Sequence, residues 1–322
     1  MALLEVSDLS IDIAGIKPLD GIGFSVDEGR ILGLVGESGS GKSLTALSIM
    51  GLLPLIGGRV ERGSIRFDGI ELTAQPEPAL RRLRGRRIAF ISQNPMTSLD
   101  PVMRVGAQID QVSRLHLGLD AKAAAARSIA LMERLRIPAA ATVYHHYPHE
   151  LSGGMKQRIV ITMALSADPD LIIADEPTTA LDVTIQAQIV QLLMELVRDR
   201  GVALILITHD MGVVAQACDH VVVLYAGRVA ESNGVKEIFA APRHPYTKAL
   251  IRCIPRDGMT PGSLAGIPGS VPSVAKYPSG CRFHPRCPDV LKICPEAVPP
   301  LEPQPFGGAV ACHAVAARVT HG

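Results

Sequence analysis

The sequence lacks an excess of charge of either sign and a recognisable export signal. Its 322 residues include 32 Lys and Arg against 31 Asp and Glu, so the formal net charge is +1. This balance gives no support for nucleic-acid binding, because domains that bind polyanions usually carry a basic excess. The first ten residues, MALLEVSDLS, have neither a basic start nor a continuous apolar segment, so we expect the protein to stay in the cytosol.

Long apolar runs are also missing. The two most apolar stretches, 201–207 and 220–226, are far shorter than the roughly 20 residues that a membrane-spanning helix needs, so no direct membrane span is expected. They are predicted to be buried strands. Similar runs that alternate with amphipathic stretches predict an α/β domain with a largely parallel sheet. Its predicted strands include Ile31 to Val35, Ile88 to Ile91, Leu171 to Ala174 and Ala203 to Ile207.

The chain is predicted to divide into a large domain at 1–254 and a small one at 255–322. The large domain contains a predicted helical subdomain at about 100–165, where AKAAAARSIALMERLRIP has apolar residues at helical spacing. The composition changes after residue 254, since twelve of the 24 prolines fall in the last 68 residues. Such a tail cannot easily form an apolar core. It is either disordered or organised by something other than apolar burial.

The stretch GESGSGKS, at 36–43, predicts a phosphate-binding P-loop. It fits the pattern GxxxxGK[ST] and follows the apolar run ILGLV, which supplies the strand that a P-loop requires. Glycines let successive N–H groups face the phosphates, while Lys42 reaches the β and γ phosphates and Ser43 can hold Mg²⁺. The strand context disfavours the alternative of a chance glycine-rich turn. The P-loop residues predicted to bind nucleotide are Gly36, Ser38, Gly39, Ser40, Gly41, Lys42 and Ser43.

A second motif, LIIADEP at 171–177, is an apolar run that ends in two acidic residues. This pattern places Asp175 where it can support the nucleotide's Mg²⁺, and Glu176 where it can activate a water molecule. Adjacent carboxylates at the end of a strand could instead cap the following helix. The P-loop in the same chain favours the nucleotide-hydrolysis interpretation.

Between these two motifs lies LSGGMKQR, at 151–158, and with it the sequence resembles the ATPase subunits of ABC transporters. The resemblance implies a P-loop NTPase fold, with a RecA-like core, an antiparallel β subdomain and a helical subdomain. Three further residues match the family's motifs in order: Gln93 in ISQNP (Q-loop), Asp182 in TALD (D-loop) and His209 in ITHD (switch histidine). One departure is Ile13, which lies near the position where the family usually stacks adenine on an aromatic side chain.

The resemblance also implies a mechanism. Two ATPase domains meet head to tail, and ATP on one P-loop is clamped by the partner's signature segment. The implied roles are general base for Glu176, a γ-phosphate contact for His209, and a link to the membrane partner for Gln93. The signature residues are Ser152, Gly153, Gly154 and Gln157, and the implied Mg²⁺ ligands are Ser43, Gln93 and Asp175.

Three stretches resemble the ATPases of dipeptide and oligopeptide importers: RGRRIAFISQNPMTSLDP, HYPHELSGG and HPYTKAL. This resemblance implies a peripheral subunit on the cytoplasmic face of a bacterial inner membrane. Its implied partners are a second ATPase subunit, identical or homologous, two transmembrane permease subunits and a periplasmic or extracellular substrate-binding protein. Nickel and glutathione importers share much of the pattern, and a soluble ABC ATPase outside transport is a further alternative.

The remaining feature is a set of four cysteines near the C-terminus: Cys281, Cys287, Cys294 and Cys312. Disulfides rarely persist in the cytosol, so thiolate ligation of a metal is the leading chemical alternative. Four thiolates suit zinc or an iron–sulfur cluster, and the spacing leaves the metal open. In peptide-importer ATPases, a similar C-terminal set is associated with a [4Fe–4S] cluster. We therefore expect such a cluster here in place of an apolar core, with zinc or no metal as the alternatives.

Overall fold

The structure, a computed structural model, describes residues 2–178, 182–254, 266–304 and 307–319. Its strands are β1 (Ala2–Ile13), β2 (Ile16–Asp27), β3 (Ile31–Val35), β4 (Gly58–Phe67), β5 (Ile70–Glu71), β6 (Ile88–Ile91), β7 (Leu171–Asp175), β8 (Ala203–Thr208), β9 (His220–Tyr225), β10 (Arg228–Gly234), β11 (Glu302–Pro303) and β12 (Ala309–Val310). Strands are therefore present at all four positions predicted from the apolar runs.

The helices alternate with these strands through most of the chain. They are α1 (Lys42–Ile49), α2 (Glu77–Leu83), α3 (Pro95–Ser98), α4 (Val105–Leu117), α5 (Ala121–Arg134), α6 (Ala140–Val143), α7 (Gly153–Leu165), α8 (Val183–Arg200), α9 (Met211–Ala217), α10 (Val235–Ala240), α11 (Pro245–Arg252) and α12 (His313–Val319). Short 3-10 turns lie at Leu53–Ile56, Pro148–Glu150, Val274–Lys276 and His284–Arg286.

The chain divides into two compact units. Unit 1 comprises the described residues within Met1–Asp27, Ile31–Ala74 and Ile207–Gly322, and unit 2 those within Glu28–Arg30 and Gln75–Leu206. The described part of the C-terminal region therefore belongs to the same unit as the P-loop. The sequence-based boundary at residue 254 stays a prediction.

Unit 1 contains an antiparallel sheet in the order β2-β1-β4-β5, and a run of strands in the order β11-β12-β10-β9-β3. The antiparallel sheet buries one apolar face, which includes Leu4, Ile11 and Phe67. In the second run, β3 pairs in parallel with β9, with Leu34 opposite Val222. The late strand β12 pairs with β10, so residues near the C-terminus extend this sheet.

Unit 2 contains the parallel pair β6 and β7, together with helices α2 to α8. Strand β7 is buried along its whole length, as expected for an aliphatic strand covered on both faces. Helices α4, α5 and α7 pack on one another around the fully buried residues Ile109, Met132 and Ile161. Helix α5 starts at an N-cap, Asp120, whose carboxylate accepts the N–H of Ala123 at 2.8 Å.

In the part of the chain that the structure describes, none of the helices has the length and apolar character needed to cross a bilayer.

Candidate functional site

The P-loop of unit 1 joins β3 to α1. Two of its glycines have no room for a side chain: a Cβ at Gly36 would lie 2.2 Å from the carbonyl oxygen of Leu224, and one at Gly41 2.4 Å from Cδ2 of Leu19. Gly41 also has a φ of +104°, in the left-handed region that favours glycine. The loop therefore follows a backbone path that requires glycine at these two positions.

The polar groups of the P-loop fit a phosphate ligand. Lys42 is only 6% exposed, and its Nζ donates to the carbonyl oxygens of Gly36 at 2.8 Å and Glu37 at 3.0 Å. Ser40 has a buried Oγ with no hydrogen-bond partner among the residues that the structure describes. The start of α1 adds backbone N–H groups that lack intrahelical partners. An ammonium, an orphan hydroxyl and a helix start together form an anion-binding set.

The other predicted P-loop residues lie on the open side of this loop. Ser38, Gly39 and Ser43 are exposed. Ser43 follows Lys42 in the first turn of α1, so its hydroxyl is accessible to a ligand that approaches the loop.

The acidic residues of unit 2 lie at the end of β7. Asp175 is the last residue of the strand and is 7% exposed. Glu176 follows it with a φ of +46°, a left-handed conformation that is uncommon for residues other than glycine. Such backbone outliers cluster at functional sites, where the surrounding structure holds them in place.

Gln93 lies beside Glu176. Strands β6 and β7 are parallel, with Ile91 opposite Ala174, so the residues after both strands emerge at the same edge. The Nε2 of Gln93 donates to Oε2 of Glu176 at 2.8 Å. The structure therefore brings together two predicted catalytic residues that lie 83 positions apart in the sequence.

The predicted signature segment forms the start of α7. Ser152 is its N-cap and accepts the N–H of Met155 at 3.3 Å, while Asp182 caps α8 and accepts the N–H of Ile185 at 2.9 Å. A surface depression of about 490 Å³ is lined by residues from both helix starts, Ser152, Gly153, Gly154 and Asp182, and by two arginines, Arg136 and Arg158. Two helix N-termini at one depression favour an anionic ligand there.

Gln157, the fourth predicted signature residue, differs from the other three. Its side chain is 1% exposed, and its Nε2 has no hydrogen-bond partner within the described ranges. Sequence reasoning also missed Arg136 and Arg158, although Arg158 closes the quoted stretch LSGGMKQR. The guanidinium of Arg158 is oriented by Leu135, whose carbonyl accepts at 2.6 Å, and by Gln188, whose Oε1 accepts at 2.8 Å.

His209 of unit 1 directly follows β8 and is exposed. The next residue, Asp210, caps α9 and accepts the N–H groups of Gly212 at 2.7 Å and Val213 at 3.3 Å. The cap fixes the turn between the strand and the helix, and thus the backbone from which the imidazole of His209 extends.

The prediction of a [4Fe–4S] cluster, or of zinc, at Cys281, Cys287, Cys294 and Cys312 is wrong. Among the described residues, which include all four cysteines, no group of three or more His, Cys, Asp or Glu side chains could hold a metal ion. Burial raises the pKa of the thiols of Cys281 and Cys312, and raises that of Cys287 to about 11. The segment is held instead by hydrogen bonds, including one of 2.8 Å from the N–H of Cys281 to the carbonyl of Cys294.

The comparisons with known proteins agree with this arrangement of motifs. A family model described as ABC transporter matches residues 19–179. The chain is 46% identical over 314 residues to the oligopeptide transport ATP-binding protein OppD of Salmonella typhimurium, covering 96% of this chain and 93% of that protein. This chain belongs to the ABC transporter ATP-binding family. The predicted family and the predicted ATP-hydrolase class are confirmed by these matches.

This ABC ATPase is also similar to known proteins in its C-terminal region and in its fold. A model described as Oligopeptide/dipeptide transporter, C-terminal region, matches residues 230–294. The dipeptide transport ATP-binding protein DppD of Escherichia coli is 45% identical over 317 residues, with 97% of each chain covered. A dimeric structure of the ATP-binding cassette MJ0796, bound to ADP and Pi, matches with a TM-score of 0.65 at 24% identity, covering 72% of this chain and 98% of that one. That likeness confirms the predicted fold class.

Proposed function

We propose that this ABC ATPase is the ATP-hydrolysing subunit of a bacterial importer for dipeptides or oligopeptides. The observation that carries the proposal is the match of nearly the whole chain, including its C-terminal region, to ATP-binding proteins of peptide transport. The proposed partners are a second ATPase subunit, identical or homologous, two transmembrane permease subunits and a periplasmic or extracellular substrate-binding protein. The proposed location is the cytoplasmic face of the cell membrane, where the subunit is held through its protein partners.

In the proposed site, the P-loop N–H groups and Lys42 hold the β and γ phosphates. Ser43, Asp175 and Gln93 are the proposed ligands of Mg²⁺, which when bound neutralises charge on the phosphates. The anion-binding groups of the P-loop support the first assignment, since they include an ammonium already held on the loop. His209 is proposed to contact the γ-phosphate.

Glu176 is proposed to act as the general base that accepts a proton from the attacking water. Its hydrogen bond with Gln93 supports this role, because a donated N–H fixes the direction in which the carboxylate points. A glutamine amide carries both a donor and an acceptor, so Gln93 can hold Glu176 through Nε2 and contact Mg²⁺ through Oε1. This dual contact is our proposed route by which the nucleotide state reaches the membrane partner.

The depression at the start of α7 is proposed to receive the γ-phosphate of ATP bound to the partner ATPase. Ser152, Gly153 and Gly154 would donate to it, with Asp182 at its border. Arg158 adds positive charge that suits a polyphosphate, whereas the charge of Arg136 is paired with Glu195 at 3.1 Å. ATP would then hold two ATPase subunits together, and hydrolysis would release them.

A Glu176→Gln variant tests the catalytic proposal. Glutamine keeps the size of the side chain and its contact with Gln93, but it cannot accept a proton from water. We expect ATP binding to persist, turnover to fall by at least about a hundredfold, and ATP to drive dimerisation in size-exclusion chromatography with light scattering. Glu133→Gln, at an exposed position on helix α5, is the matched control and should keep normal turnover. Near-normal turnover of Glu176→Gln would refute the assignment.

The transport proposal is tested separately by uptake of a labelled dipeptide. A bacterial strain that lacks this ATPase should regain uptake with the wild-type chain and not with Lys42→Ala. Restored uptake of nickel or glutathione without peptide uptake would favour a related importer. A wild-type chain that hydrolyses ATP but never sediments with integral membrane proteins would favour the soluble ATPase alternative.

A further inference from the structure

The second residue of the P-loop, Glu37, has contacts that phosphate binding does not require. It occupies one of the unspecified positions of the pattern GxxxxGK[ST]. Its backbone N–H donates to the hydroxyl of Tyr246 at 2.9 Å. Its carboxylate receives both arms of the Arg286 guanidinium, Nη1 to Oε2 at 2.8 Å and Nη2 to Oε1 at 3.0 Å. We call Glu37, Tyr246 and Arg286 the Glu37 clamp, and all three belong to unit 1.

Arg286 is a buried anchor. Its side chain is 6% exposed, against 28% for Glu37. Beyond the ion pair, its guanidinium donates to the carbonyl oxygens of Pro268 at 2.8 Å and Ile267 at 3.2 Å, and to the hydroxyl of Tyr225 at 3.3 Å. Because the Arg286 guanidinium is planar and donates to all of these acceptors, it can adopt only one orientation. A bidentate arginine pair of this kind defines the position of the carboxylate that it binds.

Tyr246 is also fixed in position, by residues of the stretch HPYTKAL and by the aromatic rings around it. His244 is the N-cap of α11 and its Nδ1 accepts the N–H of Tyr246 at 3.0 Å, while Pro245 occupies the first helical position. The tyrosine is fully buried, with its ring edge-to-face against Tyr225 at 4.7 Å and tilted against Phe283 at 5.3 Å. The Tyr246 hydroxyl, which accepts the N–H of Glu37, therefore has a fixed position beside the P-loop.

The position of Glu37 matters for the phosphate site because its carbonyl oxygen organises two groups there. That oxygen accepts the Nζ of Lys42 at 3.0 Å and the N–H of Ser40 at 3.2 Å. A shift of the Glu37 backbone would therefore move the Lys42 ammonium and the Ser40 N–H as well. The carboxylate also places a negative charge on a loop built for phosphates, and Arg286 neutralises it.

We propose that Arg286 and Tyr246 are positioning residues for nucleotide binding, through which the C-terminal region sets the affinity of the P-loop for ATP. This inference rests on the proposed nucleotide site. It assigns a purpose to the C-terminal region that involves no metal. It also gives the buried tyrosine of the HPY sequence a role in ATP binding in addition to packing.

The test measures the Kd of a fluorescent ATP analogue with Mg²⁺, and the KM and kcat of hydrolysis, on the purified full chain. Arg286→Gln leaves the charge of Glu37 uncompensated, so we expect Kd and KM to rise on the order of tenfold with kcat within about twofold. Glu37→Gln keeps an oxygen that can accept one arm of Arg286, so it should raise Kd less than Arg286→Gln does. The double variant, Glu37→Gln with Arg286→Gln, should bind ATP more tightly than Arg286→Gln alone, because the unpaired charge is gone.

The matched control is Arg243→Gln. Arg243 also ties the C-terminal region down, with Nη1 donating to Gln304 Oε1 at 2.8 Å, but it makes no contact with Glu37. Its Kd should stay at the wild-type value. Tyr246→Phe removes a single hydroxyl and should raise Kd about threefold, which keeps the test decisive if Arg286→Gln fails to fold.

The outcomes separate the two proposals. A wild-type chain that does not bind ATP refutes the proposed nucleotide site. Wild-type binding with an unchanged Kd in Arg286→Gln and Tyr246→Phe overturns the clamp alone. A double variant weaker than Arg286→Gln, or an equal loss in Arg243→Gln, would also overturn it, since either result indicates a general loss of packing.

Discussion

Acidification should destabilise unit 1 through one buried histidine. His244 is 3% exposed, and burial lowers its pKa to about 4, with the charge of Lys248 acting in the same direction and a backbone hydrogen bond with Ala311 opposing both. In the unfolded chain a histidine titrates near its ordinary value of about 6.5. Between about pH 6.5 and about pH 4, the unfolded state therefore binds a proton that the folded state does not. The free energy of unfolding must fall as the pH falls through this window.

The size of the effect follows from the two pKa values. A gap of about 2.5 units at about 1.4 kcal/mol per unit amounts to about 3 kcal/mol at pH 4, with about 2 kcal/mol already lost at pH 5. Asparagine at this position keeps a side-chain oxygen that can cap α11, but it does not titrate. We therefore expect His244→Asn to lose about 2 kcal/mol less than the wild type between about pH 7.5 and about pH 5.

Urea denaturation followed by far-UV circular dichroism, at both pH values, measures this difference. The pH dependence of all other groups is common to both chains and cancels in the comparison. His149→Asn, at an exposed position, is the control and should retain the wild-type pH dependence. Equal losses for the wild type and His244→Asn would refute the reasoning, because they would show that His244 takes up no proton on unfolding.

Two further predictions concern the stability provided by a buried carboxylate and the space around a P-loop glycine. Glu231 is 2% exposed and its carboxylate accepts two backbone N–H groups at 2.9 Å each, so Glu231→Gln, which keeps one strong acceptor, should lower the free energy of unfolding by about 1–3 kcal/mol. Glu61→Gln, at an exposed ion pair, should change it by less than about 1 kcal/mol in the same urea assay. Gly36→Ala places a methyl group 2.2 Å from the Leu224 carbonyl oxygen and should weaken ATP binding more than tenfold. Gly39→Ala meets nothing within 4 Å and adds only the backbone strain of a φ of +80°, so it should weaken binding less; equal losses would contradict the steric argument.

The motifs of the ATPase could be predicted because each is local. A P-loop needs a strand, glycines and a lysine within a dozen residues, and an acidic pair needs only the end of an apolar strand. The structure has β3 and β7 where those patterns predict them. The contact between Gln93 and Glu176 also follows once β6 and β7 are known to be parallel neighbours.

The features that sequence reasoning missed join distant parts of the chain. Glu37 and Arg286 lie 249 positions apart, and nothing in either neighbourhood indicates the other. The cysteine prediction was wrong for a related reason. Four cysteines in a proline-rich tail have the residue types of a metal site, but ligation requires that the folded chain bring their side chains together around one point. Burial of Gln157 likewise could not be read from a motif that is defined by spacing alone.

The inward-folded lysine of the P-loop has an energetic consequence. Because Lys42 is already enclosed by the loop's carbonyl groups, its ammonium loses most of its hydration when the chain folds, before any nucleotide arrives. When a nucleotide binds, its anionic phosphate oxygens take the place of the neutral carbonyl oxygens around the Lys42 ammonium. Little water has to be removed from the ammonium at that step. Burying a charge costs free energy that an apolar side chain at this position would not cost, so we expect part of the stability of the fold to be given up for a site that is ready to bind. This ATPase thus illustrates how a protein can trade conformational stability for affinity at a single buried charge.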